Sequence, residues 1–164
     1  MPLQTISLRP ACKGDEGFLR FVYAESRREE LDQVVWPDGA REEFLCSQFD
    51  AQATHYLTHY PEAEFLIIEQ DGNPAGRLYV RRSQPEIRIM DIALLPEFRG
   101  KGIGRALLQQ LIDEGQASAR DVTIHVEKFN PALRLYERLG FRAVDDRGVY
   151  WFLQWFPPQP PTAN

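Results

Sequence analysis

Residues Ile87 to Ile112 read IRIMDIALLPEFRGKGIGRALLQQLI, and this stretch decides the fold. Ile89 to Leu94 has the apolar content of a strand, and Pro96 ends it. Arg99-Gly100-Lys101-Gly102-Ile103-Gly104 comes next and opens directly into a helix, whose apolar stripe is Leu107, Leu108, Leu111 and Ile112. Glycines let a backbone approach a ligand closely. The first turn of a helix adds unpaired N–H groups and the positive end of a dipole. Arg99, Lys101 and Arg105 bring positive charge to the same place. A phosphate or pyrophosphate is the ligand that such a nest fits.

Two common phosphate loops do not match. A Walker A loop needs Lys and then Ser or Thr after its last glycine, where this chain has Arg105 and Ala106. A dinucleotide fingerprint needs glycine at position 105 and normally follows the first strand of a fold, not one past the midpoint. A glycine turn that merely packs a helix on a sheet is the plain alternative, and it leaves the clustered basic residues unexplained.

Outward from this segment the hydrophobic period alternates between strand and helix. Upstream, Leu3 to Arg9 reads as a strand, and a helix opening at Gly14 and Asp15 carries Phe18, Leu19, Val22 and Tyr23. A second helix runs from Arg41 to about Tyr60, with Phe44, Leu45, Phe49, Tyr56 and Leu57 on one side. Phe65 to Ile68 and Ala75 to Arg82 form a hairpin around Asp71-Gly72-Asn73-Pro74. Downstream, Val122 to Val126 is a strand and Pro131 to Leu139 a helix. Phe141 to Val144 and Val149 to Phe156 close the fold around Asp145-Asp146-Arg147-Gly148. The order is strand, two helices, three strands, helix, strand, helix, two strands. It predicts an α/β domain over residues 1–156 with a parallel, right-handed crossover around the glycine loop. The Pro-rich tail 157–164 follows it.

The whole-chain totals set bounds. At 164 residues the chain is long enough to bury a core, and 43% hydrophobic with 26% charged residues is a globular composition. A formal net charge of −5 argues against a nucleic-acid binder and suits a cationic partner such as an amine. Cys12 and Cys46 lack metal or redox spacing and read as reduced, buried or half-buried thiols. With no signal-like start and no apolar run of about 20 residues, the expectation is a cytoplasmic protein without membrane contact.

Leu94-Leu95-Pro96-Glu97-Phe98-Arg99-Gly100-Lys101-Gly102-Ile103-Gly104 resembles the acyl-CoA signature of the GNAT family of N-acetyltransferases, Arg/Gln-x-x-Gly-x-Gly/Ala, with Arg99, Gly102 and Gly104 at its defining positions. Asn130-Pro131-Ala132-Leu133-Arg134-Leu135-Tyr136-Glu137-Arg138-Leu139-Gly140-Phe141 is similar to the family's second characteristic helix. With the element order, the resemblance covers about Ile6 to Phe156. It implies a GNAT-like mixed, mostly antiparallel sheet with a central, splayed parallel strand pair and helices on both faces. It implies that backbone amides of Arg99, Gly100, Lys101, Gly102, Ile103, Gly104 and Arg105 grip the pyrophosphate of acetyl-CoA. It also implies that the strand at Ile92 to Leu94 pairs with the pantetheine arm, that Asn130, which also reads as the N-cap of the helix opening at Pro131, bonds that arm, and that a homodimer forms, as it often does in the family. No metal is implied.

Acylating an amine has three needs: a deprotonated amine, a donor for the developing oxyanion, and a proton or stabiliser for the departing thiolate. Tyr136 matches the family's usual general acid, although a Tyr among Ala132, Leu135 and Leu139 is otherwise a core residue. Glu86 and Asp91 lie on or beside the central strand, where the family often places a carboxylate base. Their odd spacing would send them to opposite faces of a regular strand, and Asp91, nearer the thioester end, is preferred. His125 is a third option. His55 and His59, spaced like metal ligands, lack a third ligand and read as a solvated helix face. The Glu25 to Asp32 charge run reads as a solvated surface or the border of an amine pocket, with Tyr23, Trp36 and Phe44 as lining or core.

The expected activity is acetyl transfer from acetyl-CoA to a primary amine, on a small molecule or a peptide, by direct attack in a ternary complex. The alternative is a non-catalytic acyl-CoA-binding sensor or scaffold. A nucleotide-phosphate hydrolase is a weaker third reading, without a Walker lysine or a Mg-binding partner.

Overall fold

The computed structural model describes residues 5–158. Its elements run β1 (Ile6–Pro10), a 3-10 turn (Lys13–Asp15), α1 (Glu16–Ser26), α2 (Arg28–Leu31), α3 (Ala40–His59), β2 (Glu64–Gln70), β3 (Asn73–Arg82) and β4 (Glu86–Leu94). A second 3-10 turn (Pro96–Phe98) precedes α4 (Ile103–Ser118), β5 (Asp121–Glu127), α5 (Leu133–Arg138), β6 (Arg142–Arg147) and β7 (Tyr150–Trp155). The seven strands pair in the order β1-β2-β3-β4-β5-β7-β6, antiparallel apart from β4 with β5. This is the expected α/β arrangement, with α4 as the crossover of the parallel pair. Leu3 and Gln4 of the expected first strand and residues 159–164 of the expected tail lie outside the described residues.

Two compact units share the chain. One takes the chain up to Tyr79 together with Asp91–Lys101; the other takes Val80–Met90 and the chain from Gly102 onward. In the first, Asp71 and Gly72 both have positive φ (51° and 81°), the conformation of a two-residue hairpin turn that matches strand twist. The loop is therefore tighter than the four residues expected, and Asn73 and Pro74 belong to β3. Val22 and Tyr23 of α1 and Phe49 of α3 are buried, as are Ile67 and Ile68 of β2. Leu57 is exposed, because the buried side of α3 is narrower than its apolar residues suggest. Both cysteines are exposed, contrary to expectation: Cys12 precedes a 3-10 turn, and Cys46 lines an open groove with Phe21 and Ala24 of α1. The Glu25 to Asp32 run pairs largely with itself and with Arg41, as in Arg27–Glu30 (2.9 Å) and Arg41–Asp32 (2.6 Å).

In the second unit, α4 buries its predicted stripe together with Ile103. A Cβ on Gly115 would lie 2.8 Å from Arg120 O and 3.0 Å from a Val122 methyl, so this glycine lets α4 approach β5. Residues 145–147 are strand, not loop: β6 continues to Arg147, which pairs with Tyr150 across a two-residue turn at Gly148 (φ 74°). Ladder pairing with β7 outweighs their polar composition, because β6 is an exposed edge where charge is tolerated. The helix expected from Pro131 begins only at Leu133; Asn130 and Pro131 form the turn before it.

Candidate active site

The hairpin of β3 and β4 contains an irregularity that decides where the site residues point. Ser83 N–H donates to Glu86 O (3.0 Å) near the hairpin turn, and Leu95 N–H donates to Ala75 O (2.8 Å) at the far end. Those bonds enclose eight steps along β3 but nine along β4, so β4 carries one extra residue, a bulge. The Arg77 and Asp91 side chains meet, which requires the shifted register already at Asp91. The extra residue therefore lies between Glu86 and Asp91. The parallel ladder with β5, from Glu86↔Asp121 to Ile89↔Ile124, stops in the same interval. The odd spacing of Glu86 and Asp91 consequently does not assign them to opposite faces, and the parity expectation is corrected.

Gly76 is the residue that the sequence reading missed here. A Cβ on it would stand 2.0 Å from Ala93 O and 2.9 Å from Leu94 Cα, so only glycine lets β3 pass the backbone of β4. That backbone belongs to the segment Ile92 to Leu94, the expected seat of the pantetheine arm.

Beyond β4 the chain enters the glycine loop. Arg99 Nε donates to Leu94 O (2.9 Å), tying the loop back to the strand end. Gly100 and Gly102 have φ of 74° and 84°, a region that side chains with a Cβ rarely enter, and both face open space within 4 Å. Gly102 is the N-cap of α4, and its carbonyl accepts the first helical bond, from Ala106 N–H (3.0 Å). Lys101 and Arg105 are exposed, Ile103 is buried, and the first turn has no acidic residue. Gly104 lies in that turn, where N–H groups lack intrahelical acceptors. Open backbone donors, a helix start and unopposed basic side chains fit a diphosphate.

In the first unit, Asp91 is the half-exposed end of a buried polar chain. Arg77, 2% exposed, donates from Nε to Asp91 Oδ2 (2.5 Å) and from an NH group to Gln52 Oε1 (3.0 Å); its guanidinium also lies 4.7 Å from the Tyr79 ring centre. Burial opposes the charge of Arg77, but the Asp91 carboxylate together with the neighbouring Tyr79 and Tyr56 outweighs it and holds the guanidinium above its ordinary range. Burial, and then the charge of Asp91, raises the Tyr56 phenol, so it stays protonated. The signal for Arg77 was a lone charge within the apolar run Ala75 to Val80.

In the second unit, Glu86 accepts from the Thr123 hydroxyl (2.9 Å) and pairs with Arg88 (3.0 Å), whose Nε donates to Thr123 Oγ1 (3.1 Å). Tyr136 is 4% exposed and meets Phe141 edge-on at 5.5 Å. Asn130 Oδ1 accepts from Ala132 N–H (2.8 Å), an Asx turn that leads into α5. His125 lies at the surface of β5. Burial, and then the charges of Arg88 and Arg147, lower its pKa below the ordinary imidazole value, so the ring is neutral near pH 7. His55 and His59 stack at 4.3 Å on the exposed side of α3. Among the described residues no three His, Cys, Asp or Glu side chains gather to hold a metal.

Known proteins bear on this arrangement. A provisionally named ribosomal protein bS18-alanine N-acetyltransferase of Bacillus subtilis (strain 168) is 31% identical over 132 residues, covering 76% of this chain and 83% of its own. A mycothiol acetyltransferase of Corynebacterium glutamicum (strain R) is 31% identical over 94 residues, 56% of this chain but 32% of its own length. The fold matches the PaiA N-acetyltransferase of Thermoplasma acidophilum, solved with coenzyme A, at a TM-score of 0.70 and 17% identity over 93% of this chain and 99% of that one. The model of the Acetyltransferase (GNAT) family matches residues 21–141, a span that takes in the bulged strand, the glycine loop and the Asn130 turn. With the strand order, the loop and the turn all in place, the chain belongs to the GNAT acetyltransferase family.

Proposed function

We propose that the chain transfers an acetyl group from acetyl-CoA to a primary amine by direct attack in a ternary complex. The observation that carries this reading is the loop from Arg99 to Arg105, where two positive-φ glycines with open space lead into the start of α4. Its amides and basic side chains hold the diphosphate, Ile92 and Leu94 pair with the pantetheine arm, and the Asn130 side-chain amide bonds that arm. The amine lone pair attacks the thioester carbonyl carbon, forming C–N as C–S breaks. Tyr136 gives the sulfur its proton and the amine gives up one, so the products are the acetamide and free CoA. Asp91 takes that proton, directly or through water, with Glu86 as the alternative acceptor. Known relatives carry names that range from a protein alanine to mycothiol, so their names leave the acceptor open.

The test is release of CoA thiol from acetyl-CoA across a panel of amines, with mass spectrometry of the acetamide. Turnover with at least one amine supports the proposal. Saturable CoA binding with no transfer to any amine overturns it in favour of a non-catalytic acyl-CoA-binding module.

A further inference from the structure

His125 follows Ile124, the last β5 residue in the parallel ladder with β4. Its ring lies 4.9 Å from that of Phe152 on β7. The Arg147 guanidinium stands 4.3 Å from the same phenyl and the Arg88 guanidinium 5.3 Å. Basic side chains from β4, β5 and β6 thus share one ring, which is 9% exposed. They occupy the sheet face opposite α4, because Thr123 and His125 alternate with Val122 and Ile124, and α4 approaches Val122.

The acceptors in this cluster are largely consumed and donors remain. Both Glu86 oxygens are engaged, one by Arg88 and one by Thr123. Arg147 uses Nε on Asp145 (2.9 Å) and one NH group on His125 Nε2 (2.7 Å). Apart from the Phe152 ring that both guanidiniums face, one terminal nitrogen of Arg88 and one of Arg147 have no hydrogen-bond acceptor among the described residues, and Arg147 is 46% exposed. The field agrees with this count: at His125 the charges of Arg88 and Arg147 each outweigh that of Glu86.

We propose that this face binds a carboxylate carried by the amine acceptor, so that the preferred substrate is an amino acid or an acidic peptide and not a simple polyamine. The proposal rests on the acetyl-transfer reading for its link to catalysis. A monoanionic carboxylate suits two free N–H donors that make charge-assisted bonds. A phosphate dianion would meet more repulsion from Glu86 and Asp145 on the flanks. The chain's net charge of −5 gives no general attraction for anions, so any such preference is local.

The experiment follows the imidazole of His125 by NMR pH titration in the full chain. Glycine, alanine and glutamate are added against their amides, with short acidic peptides and inorganic phosphate as separate arms. Glu86 and Arg88 of β4 and Asp145 and Arg147 of β6 set the field around the ring, so a bound carboxylate should raise its midpoint by roughly one pH unit. Free amino acids acting at lower concentration than peptides would identify the small-molecule source; the reverse would identify the peptide. The amides should leave the ring unmoved. Arg147→Ala should weaken the response roughly tenfold, and Arg147→Lys should restore part of it.

The proposal is overturned if acids and amides act alike, or if phosphate outcompetes every carboxylate. A carboxylate response in a protein that transfers acetyl to no amine would support the anion site and sink the catalytic reading alone.

Discussion

Gly76→Ala should be among the most damaging single-atom changes in the chain. The added methyl would stand 2.0 Å from Ala93 O, which is 1.4 Å short of the 3.4 Å at which ordinary contact begins. Both nearest obstacles are backbone atoms, so no side chain can swing aside. Overpacking of this kind costs about 1–3 kcal/mol, and a clash with backbone belongs at about 3. For a domain of this size each kcal/mol lowers the melting temperature by about 2–4 °C, which gives a fall of roughly 6–12 °C. Thermal unfolding followed by circular dichroism measures it, with Gly17→Ala as the control. Nothing lies within 4 Å of a Cβ on Gly17 in α1, so that change should be neutral or stabilise by up to about 1 kcal/mol. Acetyl-CoA affinity should fall with stability in Gly76→Ala, because the methyl pushes on the strand segment proposed to hold pantetheine. A melting temperature within about 2 °C of wild type, which is about 1 kcal/mol or less for a domain of this size, would refute the close-approach argument.

Three further outcomes follow from the same geometry. Tyr136→Phe should lower kcat by about 100-fold or more with little change in CoA affinity, and unchanged turnover would return Tyr136 to a packing role. Arg77→Leu should destabilise by leaving Asp91 without its partner, and adding Asp91→Asn should recover much of the loss; urea melts of the three variants measure the coupling. Asp15 accepts from Arg9 and from Cys12 N–H, and these bonds hold its pKa well below the usual carboxylate value. A depressed folded-state pKa contributes stability that is present above the unfolded value of about 4 and is lost as pH falls through the folded one. Asp15→Asn should therefore cost stability at pH 7, with the gap to wild type narrowing steadily below about pH 4.

Local chemistry was legible in the sequence; register was not. The Asp71-Gly72 turn, the stripe of α4 and the glycine loop each follow from residues a few positions apart; the stripe and the loop stand where their patterns placed them, and the turn differs only in being two residues tighter. The extra residue in β4 and the close approach of Gly76 to Ala93, seventeen residues away, both come from how β3 and β4 pair, and no periodicity carries that pairing. Once β4 gained a residue, the two-residue alternation used to separate Glu86 from Asp91 lost its basis. Arg77 looked like one polar residue in an apolar strand, whereas its partners Gln52 and Asp91 come from elements on either side of it in the chain. Likewise the cluster on Phe152 joins β4, β5, β6 and β7, which only the sheet order brings together. Composition misread residues 145–147, since an exposed edge strand tolerates the residues that usually mark a loop.

Calorimetry with CoA and acetyl-CoA on wild-type protein and on Gly102→Glu addresses the loop most directly. At position 102 any side chain is strained at φ 84°, and glutamate adds negative charge where the diphosphate is to sit. Saturable one-site binding by the wild type, lost in a variant whose circular dichroism is unchanged, is the predicted result. No heat with the folded wild type, or equal affinity in Gly102→Glu, would contradict the account.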